Sequence, residues 1–277
     1  MLVLLRPSVS LLAKMLGATV AGVLAATVIV AASPPAHAAG PQSFVGEYTV
    51  SFLGIPVAKS SFQSRYEGDA YSISGSVSTA GLAQIFDDTH GTISTSGRVL
   101  ADRIEPGMFR ADYTSGRKVS LIDIRFESGK VVSTKVLPPP RRRGPDWVPL
   151  DMADLAGVAD PIAATAIRAG SLDKVCGRTV KLYDGEMRAD LRLSHVGTGN
   201  ISVKGYQGPT VTCRLGFEPV SGFASGRKAL KFLQRKSRIE VTFAPLGQTG
   251  IYAPVHATVG TRIGTITLRA RRFEATD

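Results

Sequence analysis

VCGRTVKLYDGEMRADLRLSHVGTGNISVKGYQGPTVTCRLGF, residues 175–217, holds both cysteines of the chain, Cys176 and Cys213, and its clearest hairpin signal. Asp184-Gly185 is the dipeptide that a two-residue type I′ turn requires, because both central residues take positive φ. Beyond it, Met187, Ala189, Leu191 and Leu193 alternate with Glu186, Arg188, Asp190 and Arg192. That is the pattern of a strand with one wet face. Val211, Cys213, Leu215 and Phe217 alternate with Thr210, Thr212 and Arg214 in the same way. The pattern places Cys213 on the apolar side, and the stretch speaks for β architecture.

Strand signals continue upstream. Phe44, Gly46, Tyr48, Val50 and Phe52 share a face, and Gly54-Ile55-Pro56 turns the chain into 57–67. Tyr71, Ile73, Val77 and Thr79 alternate with Ser72, Ser74, Ser76 and Ser78, which predicts a half-buried strand with a serine ladder outside. Residues 80–88 are too short and too mixed in pattern to assign, one helical turn being one reading. Further strands are expected at about 90–99, 107–114, 117–127 and 130–137, and again at about 237–244, 251–259 and 262–273.

The run interrupts at Pro138-Pro139-Pro140-Arg141-Arg142-Arg143-Gly144-Pro145. Proline cannot donate to a ladder, so this segment reads as an extended surface loop. Its three arginines are a candidate contact with an anionic surface. Trp147, the single tryptophan, follows it. Asp160-Pro161 then has the N-cap and first-turn residues of a helix that Gly170 would stop. Arg227 to Lys236 reads either as a short amphipathic helix or as a connection.

Residues 1–38 combine Arg6 and Lys14, an apolar run from Met15 to Ala32, a Ser33-Pro34-Pro35 break and Ala36-His37-Ala38. That is the make-up of a cleaved signal peptide, with an uncleaved membrane anchor as the competing reading. Export to the periplasm is expected, with 39–277 read as a single β-rich domain in which 138–170 is a proline-rich loop plus helix, or alternatively as two domains with 138–170 as the linker. In an oxidising compartment a lone cysteine pair on strand-like segments reads as a disulfide, Cys176–Cys213. Setting Arg6 and Lys14 aside leaves 31 of the 33 basic residues against 22 acidic ones, a surplus of about nine charges. In that compartment the surplus points to anionic lipid or wall polymer and away from nucleic acid.

Catalytic signatures are scarce. His90, His195 and His256 stand at no metal-ligand spacing, and there is no G-x-S-x-G elbow or phosphate-binding loop. Ser-x-x-Lys occurs at Ser115, Ser171 and Ser225, a recurrence that reflects turn composition. The carboxylates Asp87, Asp88, Asp151 and Asp154 are candidates by adjacency alone. No metal or other cofactor is implied.

Gly46-Glu47-Tyr48-Thr49-Val50 with Gly54-Ile55-Pro56-Val57-Ala58, the Asp160-Pro161 pair, and Cys176, Tyr183-Asp184-Gly185, Arg188 and Cys213 together resemble the exported bacterial family called domain of unknown function 3108. The resemblance spans about 44–272. It implies kinship with periplasmic half-barrels of the lipoprotein-carrier type, in which a curved sheet wraps helices and offers an apolar groove. The expected fold is therefore mainly β: a long curved antiparallel sheet, an open half-barrel or β-spiral, with one or two packed helices. The implied function is non-enzymatic binding of an acylated ligand, a lipoprotein or an envelope protein, with Phe52, Tyr71, Trp147 and Phe217 as candidate groove residues. An envelope hydrolase using His90 or scattered carboxylates, and a cavity-free interaction module, are the alternatives.

Overall fold

A computed structural model describes residues 40–81, 88–140 and 143–276. The signal-peptide reading of 1–38, Asp87, Arg141, Arg142 and most of the candidate turn at 80–88 lie outside the described residues. The first seven strands are β1 (Gln42–Phe52), β2 (Ile55–Glu67), β3 (Ala70–Thr79), β4 (Thr89–Val99), β5 (Ile104–Ser115), β6 (Lys118–Glu127) and β7 (Lys130–Leu137). Short strands β8 (Trp147–Val148) and β9 (Ile167–Arg168) precede β10 (Arg178–Tyr183), β11 (Arg188–Val203), β12 (Tyr206–Ser221) and β13 (Phe223–Ala224). One helix, α1 (Lys228–Arg235), leads into β14 (Ile239–Pro245), β15 (Ile251–Thr261) and β16 (Gly264–Thr276).

Fourteen strands form one antiparallel sheet in the order β10-β11-β12-β14-β15-β16-β1-β2-β3-β4-β5-β6-β7, with β9 added beside β15. Its two edge strands, β7 and β10, do not pair with each other, so the barrel is open. Alternation drives the sheet: Tyr71 and Ile73 of β3 are buried, while Ser72, Ser74, Ser76 and Ser78 face solvent. Register slips at Glu47/Tyr48, Val50/Ser51, Ser96/Gly97 and Arg125/Phe126 add local twist, which curls a long sheet toward closure.

The chain between the edge strands stitches them together. Gly157 N–H donates to Gly129 O at 2.7 Å, beside the start of β7. Ala159 N–H donates to Lys181 O at 2.7 Å, and Tyr183 N–H to Ala159 O at 2.9 Å, on β10. This strap covers backbone groups that an open edge would leave unpaired. From it the chain enters the barrel, where Ala159, Ala163, Ala164 and Ala166 join Phe44, Tyr71, Ile251, Val255 and Phe273 in the main core.

The structure corrects three details. Asp160 does cap, its Oδ1 accepting from Ile162 N–H at 2.8 Å and Ala163 N–H at 2.9 Å. The expected helix is only a 3-10 turn, Ala163–Thr165. Ala166 is already extended, and Ile167 and Arg168 pair with Tyr252 and Ile251 of β15. Tertiary pairing outweighs local helix signals here. The hairpin at Asp184-Gly185 is real, but β10 and β11 pair from Tyr183↔Arg188, so its loop has four residues. Asp184 Oδ1 organises that loop by accepting from Glu186 N–H and Met187 N–H at 3.0 and 2.7 Å. Arg188, expected on the wet face, is buried at 4% exposure, bonded to Asp190 and to the carbonyl of Asp154.

The β11–β12 hairpin outgrows its neighbours and bends at the slip between His195 and Gly197. Its tip reaches β16, where Phe273 N–H donates to Lys204 O at 2.8 Å and Tyr206 packs edge-on to Phe273. Gly205 sits there at φ 84°, and a Cβ on it would fall 2.3 Å from Glu274 Cβ. Gly205→Ala is therefore expected to destabilise the protein by about 1–3 kcal/mol. Urea unfolding and exchange of the Phe273 amide check this.

Candidate binding site

Two cavities lie on either side of the segment that enters the barrel. The first is an apolar chamber of about 210 Å³, walled by Phe44, Tyr48, Phe62, Tyr66, Ile73, Leu268 and Phe273. Period-2 spacing on β1 and β2 aims these aromatic rings inward. Phe44 and Tyr66 meet edge-on at 6.1 Å, and Tyr48 and Phe62 at 6.2 Å. Tyr48 hydroxyl donates to Pro254 O at 3.1 Å. Burial pushes the Tyr66 phenol up to about 12 and the Tyr48 phenol higher still, so both are neutral and the chamber wall carries no charge.

The second cavity is a cleft of about 700 Å³ in the gap between the sheet edges. The β4–β5 loop, the β6–β7 turn, the strap, residues 166–170 and the start of β10 supply its walls. Arg103, Lys130, Arg168, Arg178 and Lys181 line it against only two acids, Asp102 and Glu105. Both acids are taken by Arg103, at 3.3 and 3.2 Å. Among the described residues, the other four cations have no carboxylate partner. Arg178 instead donates to Arg168 O at 2.8 Å and Lys174 O at 2.6 Å, and Arg168 donates to Thr249 O at 2.7 Å. Ala166 lines both cavities, so a thin alanine wall separates an apolar space from a cationic one.

The residues singled out by sequence fall elsewhere. Cys176 and Cys213 are bonded as expected, with Cα atoms 5.7 Å apart, and join the lead-in of β10 to β12. Phe52 lies half-buried at the far end of β1, Phe217 half-buried on β12 opposite Leu191. Tyr71 is in the core, its hydroxyl 3.4 Å from Thr95 Oγ1. Trp147 sits in the β8–β13 ribbon beneath Arg143, whose guanidinium carbon is 4.7 Å from the ring centroid. The structure brings none of these four together, and none lines either cavity.

The hydrolase candidates are also dispersed. Asp88 and His90 are exposed. Asp151 and Asp154 form a capping box on a 3-10 turn, Met152–Leu155. His195 is exposed, and burial followed by the Arg269 charge lowers the pKa of half-buried His256. Among the described residues no three of His, Cys, Asp or Glu gather as a metal site. The chamber and cleft residues were missed because the cleft draws on five separate segments and carries no local motif. Phe44 and Tyr48 did share a predicted face, but nothing local distinguishes a core face from a chamber wall.

Fold and cavities together define an open β-barrel-like protein with a half-open apolar pocket walled by its sheet. The chain belongs to the family described as protein of unknown function (DUF3108), whose profile matches residues 47–273. No curated protein matches it. Among solved structures, it is similar to a β-barrel-like protein of domain of unknown function DUF1849 from Brucella abortus, at 12% identity and a TM-score of 0.49. That match covers 86% of this chain and 98% of the other. A second similarity is to "a putative lipoprotein" from Parabacteroides distasonis, at 10% identity and a TM-score of 0.32, covering 84% of this chain and 95% of that one.

Proposed function

We propose that the protein is a non-enzymatic periplasmic binding protein of the cell envelope that takes the acyl chain of an amphiphile into the aromatic chamber. The observation that carries this reading is the uncharged chamber lying one alanine away from a cleft with four carboxylate-free cations. Apolar cavities stay dry and accept apolar guests, and a few placed charges then fix orientation. A cavity of 210 Å³ is below the usual range for whole ligands, so it takes part of a chain while the anionic end lies toward the cleft. The capping roles of Asp151 and Asp154 and the exposed position of Asp88 support binding over hydrolysis.

The test is titration of the detergent-free protein with a dansyl-labelled fatty acid, alongside native mass spectrometry for co-purified acyl species. Saturable one-to-one binding is expected. Ala253 lines the chamber and is only half-buried, so Ala253→Phe should fill the space, leave the melting temperature near wild type and weaken binding at least about tenfold, or 1.4 kcal/mol. Lys130→Gln/Lys181→Gln, both exposed, should weaken an anionic chain but not a neutral monoacylglycerol. Saturable binding untouched by Ala253→Phe would move the site out of the chamber.

A further inference from the structure

The β1–β2 and β15–β16 turns lie at the same end of the sheet, opposite the end that carries the β4–β5 loop and β6–β7 turn of the cleft. Four large apolar side chains stand in solvent there: Leu53 at 63% exposure, Ile55 at 53%, Ile263 at 79% and Ile266 at 37%. They form one patch. Leu53 N–H donates to Thr265 O at 3.0 Å, and Phe52 pairs with Ile55 on one side and Ile266 on the other. Leu53 holds φ 51°, a conformation that disfavours a bulky side chain. An apolar residue thus sits at a strained turn tip with most of its side chain in solvent.

The helix α1 sits beside this patch. Ser237 Oγ, just past its end, donates to Gly260 O at 2.7 Å, and Gly260 N–H donates to Arg238 O at 3.0 Å. Gly260 lies three residues before Ile263. The sequence of α1, KALKFLQR, is strongly amphipathic, yet none of its residues is fully buried, and Leu230, Phe232 and Leu233 are half-buried. Arg227, Lys228, Lys231, Arg235, Lys236 and Arg262 surround it, all exposed. Of the nearby acids, Glu240 is paired with Arg238 and Arg214, while Glu218 and Asp146 accept only from the neutral Gln234 side chain and Gly226 N–H, so two carboxylates stand against the six cations.

We infer that this end of the molecule docks on an anionic phospholipid surface. Leu53, Ile55, Ile263 and the α1 leucines enter the headgroup boundary, and the basic residues meet lipid phosphates. Exposed and half-buried apolar side chains flanked by a surplus of cations over carboxylates match an anionic interface in both polarity and sign. A neutral partner surface would leave that cationic surplus uncompensated. The inference does not depend on the chamber holding a ligand, and it turns the basic cleft away from the bilayer.

The experiment is flotation of the exported chain with vesicles of phosphatidylglycerol and phosphatidylethanolamine, compared with phosphatidylcholine alone. Binding to the anionic vesicles should exceed that to phosphatidylcholine at least tenfold and fall steeply in 0.5 M salt, roughly 4 Å of screening length. Leu53→Asn/Ile263→Ser should reduce it at least tenfold without lowering the melting temperature, since asparagine tolerates the left-handed turn. Lys228→Gln/Lys231→Gln/Arg235→Gln should do the same, and Val132→Ser, an exposed apolar site on β7, should change nothing. Equal binding to neutral vesicles, no binding, or indifference to the Leu53/Ile263 pair would overturn the inference. So would a concentration-dependent dimer abolished by that pair, which would make a second copy the occupant.

Discussion

Replacing Cys176 and Cys213 by alanine should lower the unfolding free energy by about 4 kcal/mol, enough to leave a marginal domain largely unfolded at 37 °C. The bridge closes a loop with a sequence separation of 37, and its chain-entropy contribution grows with the logarithm of that length. Cys213 is fully buried beside Val175, Val211 and Phe243, so trimming its sulfur also loosens the core behind β12. The bridge matters locally because it anchors the lead-in of an edge strand. β10 pairs with β11 on one side and only with the strap at Ala159 on the other. Urea unfolding of wild type, reduced wild type and the double variant measures the effect, and exchange of the 178–183 amides locates it. Indistinguishable midpoints for oxidised and reduced protein would show that the bridge is incidental to stability.

The architecture was legible wherever a strand kept its phase. The alternation through Tyr71–Thr79 predicts which residues are buried and which face water, and the cysteine pairing follows from strand context and the expectation of export. Phase is what local sequence cannot guarantee. Phase also says nothing of position along the strand: Phe44 and Tyr48 line the chamber, whereas Phe52 stands at the far end of β1, beside the β1–β2 turn. Asp160-Pro161 was read correctly as a cap and wrongly as a helix. The deciding contacts, Ile167 with Tyr252 and Arg168 with Ile251, come from more than eighty residues downstream. Arg188 was placed on the wet side because alternation alone cannot foresee the carbonyl of Asp154 arriving from the strap. The cavities belong to this second class. Each wall segment is an ordinary strand or turn, and only the open sheet and the chain threading it create the space.

Asp160 should make the protein less stable as pH rises from about 4 to about 6, the reverse of an ion-paired carboxylate. It is fully buried. Its Oδ1 receives Ile162 and Ala163 N–H, and its Oδ2 receives the Thr95 hydroxyl at 2.7 Å. Burial is the largest influence and pushes its pKa up to about 6, although those three hydrogen bonds pull the other way. Because the folded value exceeds the unfolded one, the native state holds the proton more tightly across this window. Its contribution is therefore full below pH 4, falls through the window, and is constant above the folded pKa. Two units correspond to roughly 3 kcal/mol. Asp160→Asn cannot ionise and keeps an acceptor for the two amides, so its stability should be nearly flat over the same range. Asp160→Ala strands the Ile162 and Ala163 N–H groups, leaves the Thr95 hydroxyl only its long contact with Tyr71, and should cost about 3 kcal/mol at pH 7. Urea unfolding of the three proteins between pH 4 and 8 separates the roles. A wild-type slope that survives unchanged in Asp160→Asn would assign the titration to another group, and near-wild-type stability of Asp160→Ala would show that the segment threading the barrel is held by its alanines and not by its cap.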